Sequence, residues 1–260
     1  MRKLILLLIA ATATAQVPDG DQHWALRAEG HQGGHAQATH VDAAIAAYQR
    51  AAAQNPNDLE ARWKLLRAIR FKGAYVAKTN EEKKAVYGQG KKAGEGAIAL
   101  AAKARPGTPG VAEIYLWDAV NWGEWALAYG KMAAVREGAA DRIRSEATKA
   151  MQLDPKVEGG APARVLGRLH DQTPRVPFIT GWASSKEAVR FLNESLKIDP
   201  SSKITKVFLA EAMVSRDSDA KPNAIAMLRD VVKAPNNPDF EVDESAATDD
   251  ARALLKKWGA

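Results

Sequence analysis

Two segments far apart in this 260-residue chain share one arrangement of small, large and helix-ending residues. In VDAAIAAYQRAAAQNPNDLEARWKLLRAI, Ala44, Tyr48 and Ala51 recur at helical spacing and Pro56 ends the run. Trp63 and Leu65 then open a second amphipathic stretch. In KEAVRFLNESLKIDPSSKITKVFLAEAM the corresponding places are held by Ala188, Leu192, Ser195, Pro200, Leu209 and Ala210. Small residues let two helices approach, large ones fill the gap, and proline, which lacks an N–H, stops the second helix. A helix pair written this way cannot bury its apolar face alone and must stack on the next pair.

This is the grammar of the tetratricopeptide repeat, whose period is about 34 residues. Helix-ending prolines at Pro56, Pro106, Pro155, Pro200 and Pro235 are 50, 49, 45 and 35 residues apart, so only the last interval is near standard. The earlier repeats carry insertions of about 11 to 16 residues. Composition agrees, being rich in Ala, Leu, Lys, Arg and Glu with few β-branched runs. The expected fold is all-α, an irregular tetratricopeptide-repeat-like helical solenoid of about five helix pairs with a C-terminal capping helix. The pattern predicts a helix near 21–29, a glycine-rich loop, and a helix over 41–54. Pairs follow at 58–73 with 80–104, 110–134 with 138–152, 162–172 with 184–197, and 203–215 with 220–233. The cap is expected at 249–258.

The opening MRKLILLLIAATATAQ has a basic start, a short apolar run and an Ala13-Thr14-Ala15 site, the signature of a secretory signal peptide over 1–15. Residues 16–260 then form the helical domain of a periplasmic or secreted protein. Export permits disulfides, yet the chain has no cysteine, so packing alone must hold it. The net charge of +6 becomes +4 once Arg2 and Lys3 leave with the signal. Basic residues are interleaved with acidic ones, as in EEKK, which reads as solvated helix faces and not as a nucleic-acid surface.

No enzyme signature is present: no G-x-S-x-G, P-loop, HExxH or cysteine nucleophile, and no cofactor is expected. Ser184, Ser185, Ser201 and Ser202 stand where helices begin and read as N-caps. YLWDAVNWGEWALAYGK puts Asp118, Trp122, Trp125 and Tyr129 on one helix face, with Trp117, Asn121 and Glu124 on the neighbouring one. Such rings are either a bulky core layer or the wall of a small-molecule cavity oriented by Asp118 and Asn121. Arg164 and Arg168 project from one side of a helix, where they either find acidic partners such as Asp118, Glu124 or Glu158, or fork around a carboxylate ligand. His170, near the end of that helix, is expected to satisfy helix-end carbonyls. The connection after it is unusually apolar, with Val176, Phe178, Ile179 and Trp182 between Pro174, Pro177 and the next helix. It must fold back to close a pocket or face outward as a subunit contact. His23, His31, His35 and His40 could ligate a metal, but their spacing matches no structural zinc pattern and the glycines among them point to a loose, solvent-exposed loop.

LEARWKLLRAIRFKG, AVNWGEWALAYGK, GGAPARVLGRLH and PFITGW, in that order and followed by the irregular repeat, resemble the T components of tripartite ATP-independent periplasmic (TRAP) transporters from about Trp24 to the C-terminal helix. The resemblance implies a periplasmic helical-repeat protein working beside the transporter's solute-binding protein and holding an apolar or organic-acid ligand. It brings no catalytic residues. The chain departs from lipid-anchored members in having no cysteine after its signal. On this basis the candidate ligand site is Trp117, Asp118, Asn121, Trp122, Trp125, Arg164, Arg168, Phe178 and Trp182. The alternative is a periplasmic protein–protein interaction scaffold with no small-molecule ligand. Self-association, as a homo-oligomer of trimeric form by analogy with the family, is a further expectation.

Overall fold

The computed structural model describes residues 16–176 and 179–260; the expected signal peptide and Phe178 lie outside the described residues. The helices are α1 (Gln16–Ala25), α2 (Ala38–Gln54), α3 (Leu59–Phe71), α4 (Asn80–Ala101), α5 (Val111–Tyr129) and α6 (Lys131–Arg136). They continue as α7 (Ala139–Leu153), α8 (Val157–Gln172), α9 (Ser185–Ile198), α10 (Lys203–Arg216), α11 (Lys221–Lys233) and α12 (Glu241–Trp258). Among the described residues the only β pairing is an isolated bridge between Gln32 and His35. None of the described helices is long and apolar enough to cross a membrane.

Local chemistry sets the helix starts. Asp58 accepts the N–H of Ala61 at 2.9 Å, and Thr79 and Glu82 form a reciprocal capping box at the start of α4. Ser184 and Ser202 cap α9 and α10, each at 3.4 Å. Ser185 lies inside the first turn of α9 and Ser201 donates its hydroxyl to Asp199 at 2.6 Å, so two of the four expected serine caps are made. The expected helix at 110–134 is divided, because Gly130 takes a φ of +89° and α5 stops at Tyr129, leaving α6 as a separate turn and a half. The cap is longer than expected and begins at Glu241.

Five pairs result, α1/α2, α3/α4, α5/α7, α8/α9 and α10/α11, with α12 last. Fully buried Tyr48, Leu66, Ile114, Leu166, Leu192 and Leu228 occupy the seams between helices, each contributing on the order of 1.5–3 kcal/mol by leaving water. First helices also pack on first helices, α3 on α5, α5 on α8, α8 on α10 and α10 on α12, whereas second helices form no comparable series. Elements packed on their neighbours in this way form the short inner side of a curve, and the second helices splay along the outside.

The curve closes. Val242 of α12 lies in the same apolar cluster as Ala36, Val41, Phe71, Tyr75 and Val86 from the first two pairs. Gly34 meets α12 so closely that a Cβ there would stand 2.7 Å from the Ala246 Cα. Asp243 accepts the Tyr75 hydroxyl at 2.9 Å and pairs with Arg70 at 3.4 Å, while Arg27 reaches the backbone carbonyl of Asp239. On the other side Lys203 of α10 pins the approach to α12, donating to the Ala234 carbonyl and Asn236 Oδ1 at 2.7 Å each and to Thr248 Oγ1 at 3.2 Å. The glycine-rich loop, expected to be loose, is therefore the dock for the last helix, and Gly34 is the glycine that this contact requires.

Candidate functional site

Asp118 and Asn121 are fully buried between α4, α5 and α7. Gly94 and Gly90 of α4 make room for them: a Cβ at either would fall 1.6 Å from Asp118 Oδ1 or 2.3 Å from Asn121 Oδ1. Asn121 Nδ2 donates to the Leu66 carbonyl at 3.0 Å and the Trp117 carbonyl at 2.8 Å, tying α5 to α3. Asp118 accepts from Arg142 of α7 at 3.0 Å, and Arg142 also lies 2.8 Å from Glu146. Burial first, and then the hydrogen bond and charge of Asp118, push the Glu146 carboxyl far above the usual range, against the pull of Arg142. Asp118 Oδ1 and Glu146 Oε2 are both buried without a hydrogen-bond partner, the setting in which a carboxyl favours its neutral form.

Trp122 and Trp125 meet edge to face at 5.6 Å, Trp125 stacks on Tyr129 at 4.7 Å, and Lys91 stands 4.4 Å from the centres of both indoles. These tryptophans share a core cluster with Ile143, Ala147, Leu166 and Leu169. Trp117 turns the other way and packs with Trp63 beside Leu66 and Ile114. The Trp182 end of the apolar connection packs back, one of its two expected courses, while Phe178 lies outside the described residues. Trp182 joins the Trp122 cluster, donates to Asp141 at 3.1 Å, and is covered by Arg144 at 4.4 Å and by His170 edge-on at 5.2 Å. Val176 and Ile179 stay exposed. His170 accepts the N–H of Ser184 at 3.2 Å through Nδ1, so it pins the end of the connection and does not serve helix-end carbonyls. Burial lowers its pKa, with Arg144 and Arg190 adding to the shift against Glu187.

The predicted site residues are not brought to one place. On a helix, residues two apart lie about 200° around the axis, so Arg164 and Arg168 occupy the side of α8 opposite Leu166. They face α10, away from the tryptophan cluster, and the expected fork is divided. Arg168 is taken by Glu211 at 2.6 Å and Asp171 at 3.4 Å, with its guanidinium over Phe208 at 4.3 Å. Arg164 reaches only Thr205 Oγ1, at 3.4 Å, and has no carboxylate oxygen within 4.0 Å among the described residues. None of Asp118, Glu124 and Glu158 pairs with either arginine.

A second group is made by side chains of α3 that reach to the first residues of α8 and α12. Arg67 packs over Trp24 at 4.3 Å and Trp63 at 4.7 Å, and Arg27 covers Trp24 at 4.6 Å. Arg70 takes Glu124 at 3.3 Å, Asp243 at 3.4 Å and the Tyr75 hydroxyl at 2.9 Å. Glu158 stands 3.8 Å from Arg67. It holds a left-handed φ of +48°, followed by Gly159 at +65° and Gly160 at +78°, and the regular part of α8 starts only after them. A non-glycine residue in that region costs about 1–3 kcal/mol and persists only where its surroundings hold it. Trp63, Arg67 and Arg70 repeat at helical spacing in LEARWKLLRAIR, the one sequence signal that could have marked this face.

Of the four histidines, His23 and His40 meet, Nδ1 to Nδ1 at 3.1 Å, and His40 Nε2 stands 3.1 Å from Glu29. His31 bonds the Gly33 carbonyl instead. No cluster of three potential ligands forms among the described residues.

No protein-family model matches the chain, and no curated protein matches it by sequence. Among solved structures it is similar to a thermophilic TPR protein of Thermus thermophilus, with a TM-score of 0.56 and 18% identity over 89% of this chain and 96% of that one. That likeness establishes the fold, an all-α helical-repeat solenoid of tetratricopeptide type.

Proposed function

We propose that this is an exported tetratricopeptide-like binding protein, an accessory of a TRAP-type solute transport system that holds a small organic-acid or apolar ligand and contacts the solute-binding protein. Its work is binding and not catalysis. The observation that carries the ligand half is Arg164, a guanidinium on α8 that reaches one hydroxyl, Thr205 Oγ1 at 3.4 Å, and has no carboxylate partner among the described residues. The transport half rests on the order of GRLH, PFITGW and the tryptophan-rich segment in the sequence. A scaffold without a small ligand is the second reading. It is favoured by exposed Leu127, Met132, Val135, Val176 and Ile179 on α5, α6 and the connection after α8, apolar side chains suited to a protein contact.

Native mass spectrometry of the mature protein, purified gently from periplasm, tests both. A reproducible extra mass of small-molecule size, lost on denaturation, is expected. On mixing with the solute-binding protein of a TRAP transporter from the same source, a complex of defined stoichiometry is expected as well. A bare polypeptide that still captures the partner would move the assignment to the scaffold; capture of neither would end the TRAP reading.

A further inference from the structure

We propose that His23 and His40 form a binding site for a divalent transition-metal ion of the zinc, copper or nickel class, which clips α1 to α2. The site stands apart from the residues assigned to the organic ligand and does not depend on the transport reading.

The glycine-rich loop turns the chain back on itself, so that the last turn of α1 and the first turn of α2 bring two imidazoles together. They approach through the same atom of each ring, Nδ1 to Nδ1 at 3.1 Å, with the ring centres 5.4 Å apart and the planes tilted by 36°. Glu29 decides where the protons lie. It stands 3.1 Å from His40 Nε2, and a carboxylate only accepts, so in the neutral ring Nε2 carries the proton and Nδ1 keeps its lone pair. His23 must then donate through Nδ1. The two helices are joined here by an N–H···N bond that rests on a single proton.

A metal ion can take that proton's place. The proton of His23 moves to Nε2, both rings stay neutral, and both Nδ1 lone pairs become ligands. Metal–imidazole bonds are about 2.0–2.1 Å long, so two nitrogens on one ion, at angles between square and tetrahedral, stand about 2.9–3.4 Å apart. The observed 3.1 Å lies inside that range, and rotation about the side-chain bonds turns the two lone pairs toward a common point. Glu29 has the place that a carboxylate takes behind a metal-bound histidine, where it orients the ring, raises its basicity and offsets the charge of the ion. Both histidines are partly exposed, so ion and water reach them, and water fills the remaining coordination positions.

The donor set selects the metal. Imidazoles suit zinc, copper and nickel, whereas calcium and magnesium take oxygen ligands. Two protein ligands make an exchangeable site, different in kind from a closed structural zinc centre with four. His31, bonded to the Gly33 carbonyl, is engaged elsewhere. The loop that the ion would close is also the one that presents Gly34 to α12, so metal binding should steady that dock.

The full mature chain, carrying no affinity tag, is titrated with Zn2+, Cu2+ and Ni2+ by calorimetry, and its thermal unfolding is followed in parallel. His23→Gln, His40→Gln, Glu29→Gln and a control, His35→Gln at an exposed histidine of the same loop, are treated alike after a check of native circular dichroism. Saturable binding of one ion per chain is expected for at least one of the metals, with a rise in Tm that grows with its concentration. Affinity should fall about a hundredfold in His23→Gln and His40→Gln, about tenfold in Glu29→Gln, and not at all in His35→Gln. Copper adds a readout that a merely structural pair would not give: hyperfine coupling to two imidazole nitrogens in the paramagnetic resonance spectrum, reduced to one in either single variant. Absence of saturable binding by all three ions, unchanged affinity in the folded His23→Gln and His40→Gln proteins, or an equal loss in His35→Gln overturns the site. Should a variant fail to fold, the copper spectrum of the unaltered chain decides, and a spectrum without imidazole coupling overturns the site as well.

Discussion

The interface of α5 with α7 and the inner face of α3 and α8 both bury charge, and they hold it differently. Between α5 and α7 the surplus is carboxylate: Asp118 and Glu146 share Arg142. A carboxyl can take up a proton, and burial beside Asp118 pushes the Glu146 carboxyl toward that form. On the inner face Arg67 and Arg70 stand beside Glu158, Glu124 and Asp243, and arginine has no neutral form within reach of ordinary pH. The first region can adjust its charge by a proton, whereas the second must hold its charges in ion pairs.

The largest effect that would test this contrast is expected at Arg142. Replacing it with Met leaves buried Asp118 without a counter-charge and should cost about 3–5 kcal/mol in urea denaturation at neutral pH. A loss below about 1 kcal/mol would mean that the carboxyl pair tolerates burial without its arginine.

Next is the pH dependence. Because the folded pKa of Glu146 is raised, its stabilising contribution is full below the ordinary carboxylate range and declines as pH rises toward the folded value. The slope is bounded by one proton, about 1.4 kcal/mol per pH unit. Glu146→Gln should remove that decline in denaturant titrations between acid and mildly alkaline pH, and an unchanged slope would place the proton elsewhere.

A smaller effect of opposite sign is expected at Arg164. In buffer free of organic anions, Arg164→Met should be neutral or stabilising by about 1 kcal/mol, since it removes a buried charge with no close partner. Clear destabilisation would reveal a counter-charge the geometry does not supply.

The smallest belongs to His170, a group that, like Glu146, adjusts its charge to burial. Its contribution is present above the ordinary value of 6.5 and lost as pH falls through the lowered folded value, when Nδ1 takes a proton and releases the Ser184 N–H. Acid titration of Trp182 fluorescence in a variant with the other tryptophans replaced by Phe where tolerated should report this. A flat response would mean that the stacking of His170 on Phe191 at 5.6 Å, and not its hydrogen bond, anchors the connection.

The repeat was readable because its determinants are local. Ala44, Tyr48 and Ala51 lie within two turns of one helix, and all three are buried where the pattern placed them. Ala188, Leu192 and Ser195 behave the same way in α9. What escaped reading depends on contacts distant in sequence. Gly33 and Gly34 look like a slack loop until α12 arrives against them from the far end of the chain. Their spacing puts Arg164 and Arg168 on one side of their helix, but it does not say that α10 supplies an acid to one and a hydroxyl to the other. The inner arginines of α3 do not stand out in the sequence, because an arginine at helical spacing usually marks a solvated face.

The contact of α12 with the first turn of the coil changes what kind of object this is in thermodynamic terms. An open array of repeats has two free ends, and either can fray while the middle stays folded. Here the last helix is also a neighbour of the first pairs through Val242, Ala246 and Asp243, so no repeat is terminal. Opening any one seam strains the clasp at Gly34, and releasing the clasp exposes both ends together. A sequence built from semi-independent modules is thereby expected to melt as one unit, as a small globular domain does.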